Sequence, residues 1–146
     1  MISQLPEAEI ERLLHEQTVG HLGCHASGRT YVLPMSFVYE DGTIYGHTRQ
    51  GLKLTMIQDN PDVCFQVDAI AGPSSWRSVV AWGRFEILGP DDGATAMRRF
   101  LRRLQPSLEH TEEARERMIE QLVVLSLADG VAYRIVVREK SGRYEA

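Results

Sequence analysis

The sequence predicts one mainly β domain with helices, an antiparallel barrel or sandwich with helical decoration. Two observations carry that reading. Segments rich in β-branched and aromatic residues recur between residues 19 and 88 and are joined by tight turns, among them Asp41-Gly42. Helical patterns interrupt the strands mainly in the second half of the chain.

Residues 6–17, PEAEIERLLHEQ, read as a short helix. Pro6 suits its first turn, and Ile10, Leu13 and Leu14 form an i, i+3, i+4 apolar stripe. Strand signals follow at 19–26 and 30–40, with a hairpin turn at Gly28-Arg29, and again at 43–48 after Asp41-Gly42. Residues 52–60 read as a helix of one to two turns that Asn60-Pro61 stops. Strands are expected at 62–70 and 76–88, with a loop at 71–75. Asp91 or Asp92 is a plausible cap for a helix running to about Leu104, with Pro106 as its stop. A further helix spans 110–122, its acidic first turn framed by Thr111 and Ala114. Residues 123–130 read either as helix end or as strand, and 131–139 as the final strand. Pro34 falls inside an expected strand, which places that strand at an edge or at a bulge.

At 146 residues the chain is long enough to bury a core as one domain. Its 16 basic and 20 acidic residues give a net charge of −4, which argues against a general nucleic-acid binder or a polybasic membrane anchor. No apolar run reaches the ~18 residues of a membrane span. The N-terminus is acidic and amphipathic, unlike a signal peptide, so a cytoplasmic protein is expected. Cys24 and Cys64 both fall in expected strands, as small buried thiols rather than a disulfide. His21 and His25 would lie about 13 Å apart on a strand, too far to share a metal, and no metal site is expected. His15 and His110 read as exposed helix residues. No nucleophile–base–orienter set can be assembled, because Ser36, Ser74, Ser75 and Ser78 lack a nucleophile elbow.

Two short groups carry most of the chemistry. His47-Thr48-Arg49-Gln50-Gly51-Leu52-Lys53 joins a strand end to a helix start. There, unpaired N–H groups and the positive end of the helix dipole already attract anions. Cations in that place are unfavourable for the helix, by roughly 0.3–1 kcal/mol each, unless an anion such as phosphate binds between them. A solvated basic turn is the alternative. The second group, Trp76-Arg77-Ser78, opens a long strand after a Gly-Pro loop. An indole beside a guanidinium could flank a flat aromatic ligand, or Trp76 and Trp82 could belong to a core or a dimer interface.

The order of motifs adds to this. Pro34-Met35-Ser36-Phe37-Val38-Tyr39 precedes an Asp-Gly turn and Ile44-Tyr45-Gly46-His47-Thr48. A Gly51-Leu52-Lys53 helix start, Asn60-Pro61-Asp62-Val63-Cys64-Phe65 and Arg77-Ser78-Val79-Val80 with Gly83 follow. This order resembles the pyridoxamine 5′-phosphate oxidase-like flavin-binding split barrels, most closely their 5-nitroimidazole-resistance branch. The resemblance implies a six-stranded antiparallel split β-barrel of Greek-key type with peripheral helices, the whole chain forming one flavin-binding domain. It implies a homodimer with FMN, or FAD, at each subunit interface and a small-molecule substrate. Pro34, Met35 and Ser36 would line the isoalloxazine or ribityl chain. His47, Thr48 and Arg49 would sit at the ribityl-phosphate end, and Lys53 would pair with the phosphate. Trp76, Arg77 and Ser78 would close the site from the other subunit, and His47 would be the candidate catalytic proton donor. The function implied is a flavin-dependent, nitroreductase-like oxidoreductase. A flavin carrier, a redox sensor, a deazaflavin-dependent reductase and an empty structural barrel are the alternatives. The oxidase pattern Arg-x-x-Leu-Leu-Lys is replaced by Tyr31-Val32-Leu33-Pro34, and the chain end EKSGRYEA lacks tryptophan, so oxidation of pyridoxamine phosphate is not implied.

Overall fold

The structure is a computed structural model that describes residues 1–104 and 111–146. The expected helix stop at Pro106 and the placing of His110 lie outside the described residues. In chain order the elements are β1 (Ser3–Gln4), α1 (Glu7–Glu16), β2 (Val19–Ala26), β3 (Arg29–Ser36), β4 (Val38–Glu40), β5 (Thr43–Thr48), α2 (Leu52–Asp59), β6 (Asp62–Gly72), β7 (Ser75–Ile87), α3 (Pro90–Leu104), α4 (Glu112–Ala128) and β8 (Val131–Glu145). All pairings are antiparallel, in the order β3-β2-β6-β7-β8-β5-β4, with β1 on β8.

The two ends of that order, β3 and β4, are neighbours in the chain, separated only by Phe37. The sheet therefore curls round until its edges meet through the backbone. Between β3 and β5 it stays open, because no ladder joins them. This is the split barrel. The strand expected over 30–40 is two strands, because the chain changes partners at Phe37, from β2 to β5. Phe37 donates its N–H to the Thr18 carbonyl at 2.9 Å and buries its ring edge-on against Phe65, 5.1 Å away. With the two-residue β1, this raises the strand count from the expected six to eight among the described residues.

The hairpin turns follow their residues. Ser27-Gly28 and Asp41-Gly42 have φ of 53° and 75°, and of 51° and 72°, the left-handed pairs that match the twist of two-residue hairpins; the first turn thus falls one residue before the expected Gly28-Arg29, and Arg29 opens β3. Pro34 sits in an edge strand whose register is unbroken, so it is an edge proline and not a bulge. The loop expected at 71–75 shrinks to residues 73–74, because β6 runs to Gly72 and β7 starts at Ser75, and three more boundaries differ. The stretch 123–128 continues α4, and β8 extends to Glu145 because it pairs with β7 along its whole length. Asp91 and Asp92 lie in the first turn of α3 rather than at its cap. Thr111 does cap α4, accepting the Ala114 N–H at 3.1 Å.

The barrel interior is filled by Leu22, Phe37, Ile44, Phe65, Val67 and Ile135, with Leu13 and Leu14 of α1 and Leu54 and Ile57 of α2 packed onto it. A second cluster, Met97, Leu101, Ile119, Val123 and Ala132, lies where the α3–α4 pair covers β8. Bidentate ion pairs Arg98–Glu120 and Arg102–Glu116 bind α3 to α4. Arg99 pins α3 to the sheet: it pairs with Glu40 at 2.9 Å and lies over the Tyr45 ring at 4.7 Å. No helix among the described residues is long and apolar enough to cross a membrane.

One polar knot holds α1 to the barrel. Lys140 donates to Glu11 and pairs with Glu7 at 3.0 Å, and the Tyr39 hydroxyl donates to Glu11 at 2.9 Å. Burial alone would raise the Glu11 carboxyl. Hydrogen bonds from Lys140 and Tyr39 and the Lys140 charge outweigh it and hold Glu11 below the usual carboxylate range. A depressed folded-state pKa gives stability that is present above the unfolded value, ~4.3, and is lost as pH falls through the folded value. Glu11→Gln should therefore flatten the loss of stability on acidification. Urea unfolding midpoints at neutral pH and near pH 3 check this, and an unchanged acid slope would rule the knot out as a source of acid lability.

Candidate functional site

The open seam between β3 and β5 is a groove of about 440 Å³. Each wall is set by a local rule. In an antiparallel pair, alternate residues turn their N–H and C=O groups toward and away from the partner strand. The Phe37–Thr18 bond fixes the phase, so Met35 and Leu33 bond to β2, whereas Pro34 and Ser36 turn their backbone groups to the open edge. Pro34 thus costs no ladder bond, and the Ser36 N–H and the carbonyls of Pro34 and Ser36 are left at the seam. The Met35 side chain is buried in the core, so its share of the groove is backbone.

The opposite wall is the end of β5 and the start of α2. Gly51 is the N-cap of α2 and provides no side-chain cap, and there is open space around its Cα. The first-turn N–H groups of α2 therefore lack a side-chain acceptor, and that turn holds no acid to balance them. Lys53 stands in this turn, lines the groove and makes no hydrogen bond or ion pair with any described residue. Arg49 also lines the groove, but it pairs with Asp129 at 2.8 Å. Thr48 is buried, with its hydroxyl turned to the Arg49 carbonyl at 3.4 Å.

His47 is held from behind. Its Nε2–H donates to the Ser126 carbonyl in the last turn of α4 at 2.7 Å. A carbonyl can only accept, so Nε2 carries a proton, and Nδ1 is the ring nitrogen left outside that bond. The close fit depends on Gly130, because a Cβ there would stand 2.4 Å from the Thr48 carbonyl and 2.8 Å from His47 Nε2.

Seven of the expected site residues therefore meet in one groove: Pro34, Met35, Ser36, His47, Thr48, Arg49 and Lys53. Within one chain, Trp76, Arg77 and Ser78 do not join them. Trp76 and Arg77 line a separate cleft of about 370 Å³ with Ile70 and Tyr144, and Ser78 accepts a hydrogen bond from Gln66 Nε2 at 3.0 Å. Trp82 is not a core residue; it is 41% exposed on the outer sheet face. His21 and His25 lie on β2 and bond to Gln66 and Thr30 respectively. Both cysteines are free thiols, Cys24 buried and Cys64 half-buried. His15 is exposed, as expected, with its ring edge-on to Tyr39.

Sequence reasoning missed Leu33, Phe100, Ser126, Asp129 and Gly130. Phe100 reaches the groove because the neighbouring Arg99 anchors α3 on β4 and β5. Asp129 did leave a signal in the sequence. An acid at a helix C-terminus opposes the dipole, so a cation partner from elsewhere in the fold was to be sought.

Known proteins share this architecture. A FAD-binding protein from Mesorhizobium loti is 25% identical, with a TM-score of 0.73 over 100% of this chain and 99% of that one. A protein from Bacteroides thetaiotaomicron, described as a candidate 5-nitroimidazole antibiotic resistance protein, is 18% identical, with a TM-score of 0.75 over 99% and 87%. The uncharacterized protein RA0666 of Rhizobium meliloti is 27% identical over 75 residues, which are 51% of this chain and 50% of that protein. The matched part thus spans about half the length of that relative. The family model described as pyridoxamine 5′-phosphate oxidase matches residues 6–143, nearly the whole fold described above. The chain therefore belongs to the pyridoxamine 5′-phosphate oxidase family.

Proposed function

We propose that the groove binds a flavin, FMN or the FMN half of FAD, and that the protein is a flavin-dependent oxidoreductase of nitroreductase type acting on a small molecule. One observation carries the reading: an unpaired Lys53 and an uncapped helix N-terminus face the unpaired polar edge of β3 across one groove. The residues present fit the group. Lys53, Arg49 and the α2 N–H groups suit a phosphate dianion. Ser36 N–H and the Pro34 and Ser36 carbonyls suit the donors and acceptors of a ribityl chain or ring edge. The FAD-binding protein of Mesorhizobium loti supports a flavin over other phosphorylated ligands.

A bound flavin supplies two-electron redox chemistry, and the chain supplies position and charge. Lys53 and Arg49 would neutralise the phosphate, the β3 edge would orient the ring, and Phe100 and Leu33 would keep water from one side. His47 would move a proton at Nδ1 while Ser126 holds its ring in place.

The reading includes a cytoplasmic homodimer. Val19, Val32, Ile70 and Trp82 leave exposed apolar surface on strands β2, β3, β6 and β7. A second copy set against those strands would meet Trp76 and Ser78, which share the face of β7 that carries Trp82, whereas Arg77 turns to the other face and pairs with Glu9 at 3.8 Å. One observation also favours a second reading, a flavin carrier without turnover: His47 is pinned through Nε2, which restricts any swing toward a substrate.

Four outcomes are expected. Light scattering should give about twice the 16.5 kDa chain mass, and a monomer at micromolar concentration would remove the shared site. The protein should carry or take up FMN with the visible spectrum of a bound flavin. Lys53→Ala should weaken that binding about tenfold or more, in line with the ~1.5–3 kcal/mol of a hydrogen bond to a charged group. Equal affinity in the variant would exclude the phosphate role of Lys53. With a reduced nicotinamide donor and a nitroaromatic acceptor, His47→Asn should slow turnover about 10²-fold while flavin stays bound. Wild-type protein that binds flavin and turns over nothing would select the carrier.

A further inference from the structure

We propose that Asp129 is a specificity-determining residue of the groove: it holds Arg49 as an internal counter-ion and releases it only to a dianionic phosphate ester. The inference rests on the flavin reading given above.

Three observations lead to it. The two cations of the groove are treated differently: Lys53 has no hydrogen-bond or ion-pair partner among the described residues, whereas Arg49 is paired with Asp129 at 2.8 Å. Asp129 is the C-cap of α4, where the helix dipole is negative, so its carboxylate is ill placed for the helix itself. Its position is also fixed. Ser126, one turn earlier in α4, accepts from His47, and Gly130, the next residue, lies against the Thr48 carbonyl with no room for a Cβ. The end of α4 is thus fastened to the end of β5 on both sides of Asp129.

The consequence follows from charge. With Asp129 in place, Arg49, Lys53 and Asp129 sum to +1, which Lys53 alone presents to a ligand. A free carboxylate or a halide gains little by approaching Arg49, because a carboxylate tethered to the same fold already occupies it at high effective concentration. A phosphate dianion carries twice the charge and can accept a bidentate pair from the guanidinium. It can bridge Lys53 and Arg49 and leave Asp129 to water. The pair is exposed on both sides, at 76% and 62%, so the exchange involves only a modest energy, as suits a selectivity device rather than a lock.

The test compares FMN with riboflavin, which lacks the phosphate, by fluorescence titration of the full chain. Asp129→Asn should tighten FMN about two- to fivefold, the range of an exposed ion pair, and leave riboflavin unchanged. Acetate, a monoanion, should compete with FMN in Asp129→Asn and not in the wild type, and equal competition in both would overturn the selectivity. The gain should vanish when Arg49→Ala is added, and Asp129→Glu should bind FMN as the wild type does. If Asp129→Asn leaves FMN binding unchanged or weakens it, the latch is overturned while the flavin reading stands. If it tightens FMN equally in the Arg49→Ala background, Asp129 acts by its general field and the latch is again overturned. If the folded wild type binds neither flavin, the flavin reading fails and the latch fails with it.

Discussion

The architecture depends on one constraint: the two end strands of the sheet are joined by backbone at Phe37 and by no ladder beyond it. A sheet edge carries unpaired N–H and C=O groups and is normally covered or blunted. Here the curl brings the β3 edge opposite the end of β5 and the start of α2, and the chain stops short of pairing them. Had β3 and β5 zipped together, the polar edge would have been consumed and the seam closed. Phe37 prevents this by anchoring the turnover point in the core, its ring against Phe65 and its N–H on Thr18. The packing of one aromatic residue thus decides where the molecule has a groove.

The charges around that groove are arranged against the local interest of the helices. Lys53 stands at the positive end of α2 and Asp129 at the negative end of α4. Each costs its helix a fraction of a kcal/mol. Arg49 offsets one of these by pairing with Asp129, and nothing among the described residues offsets the other. By contrast, the knot of Lys140 with Glu7, Glu11 and Tyr39 is fully matched, with hydrogen bonds and opposite charge together outweighing burial. The first arrangement suits a place where something binds, and the second a place where the fold is held together.

Much of the fold was legible because it is locally encoded. The glycine turn at Asp41-Gly42, the stop at Asn60-Pro61 and the acidic first turn of α4 act over four residues or fewer and are visible in the sequence. What escaped was set by distant partners. The final strand was expected to end at Glu139, yet pairing with β7 keeps residues 140–145 extended. Residues 123–128 are ambiguous alone, and packing of Val123 against Met97 and Leu101 makes them helix. The site divided in the same way. Its contiguous pieces, Pro34 to Ser36 and His47 to Lys53, were readable from motif order. Ser126, Asp129 and Gly130 enter only through the approach of α4 to β5, some eighty residues apart in the chain.

Asn60 fastens the C-terminal end of α2, donating from Nδ2 to the His25 carbonyl at 2.8 Å and accepting the Asp62 N–H at 3.1 Å. The N-terminal end has no such fastening. A two-turn helix is too short to be stable by its own hydrogen bonds, and it persists by what holds its ends and its buried face. An anion seated on the first turn of α2 would therefore be its second anchor as well as its guest. Anion affinity and the local rigidity of residues 51–60 would then be coupled, and a change that loosens the helix at Asn60 would be felt as weaker anion binding at Lys53.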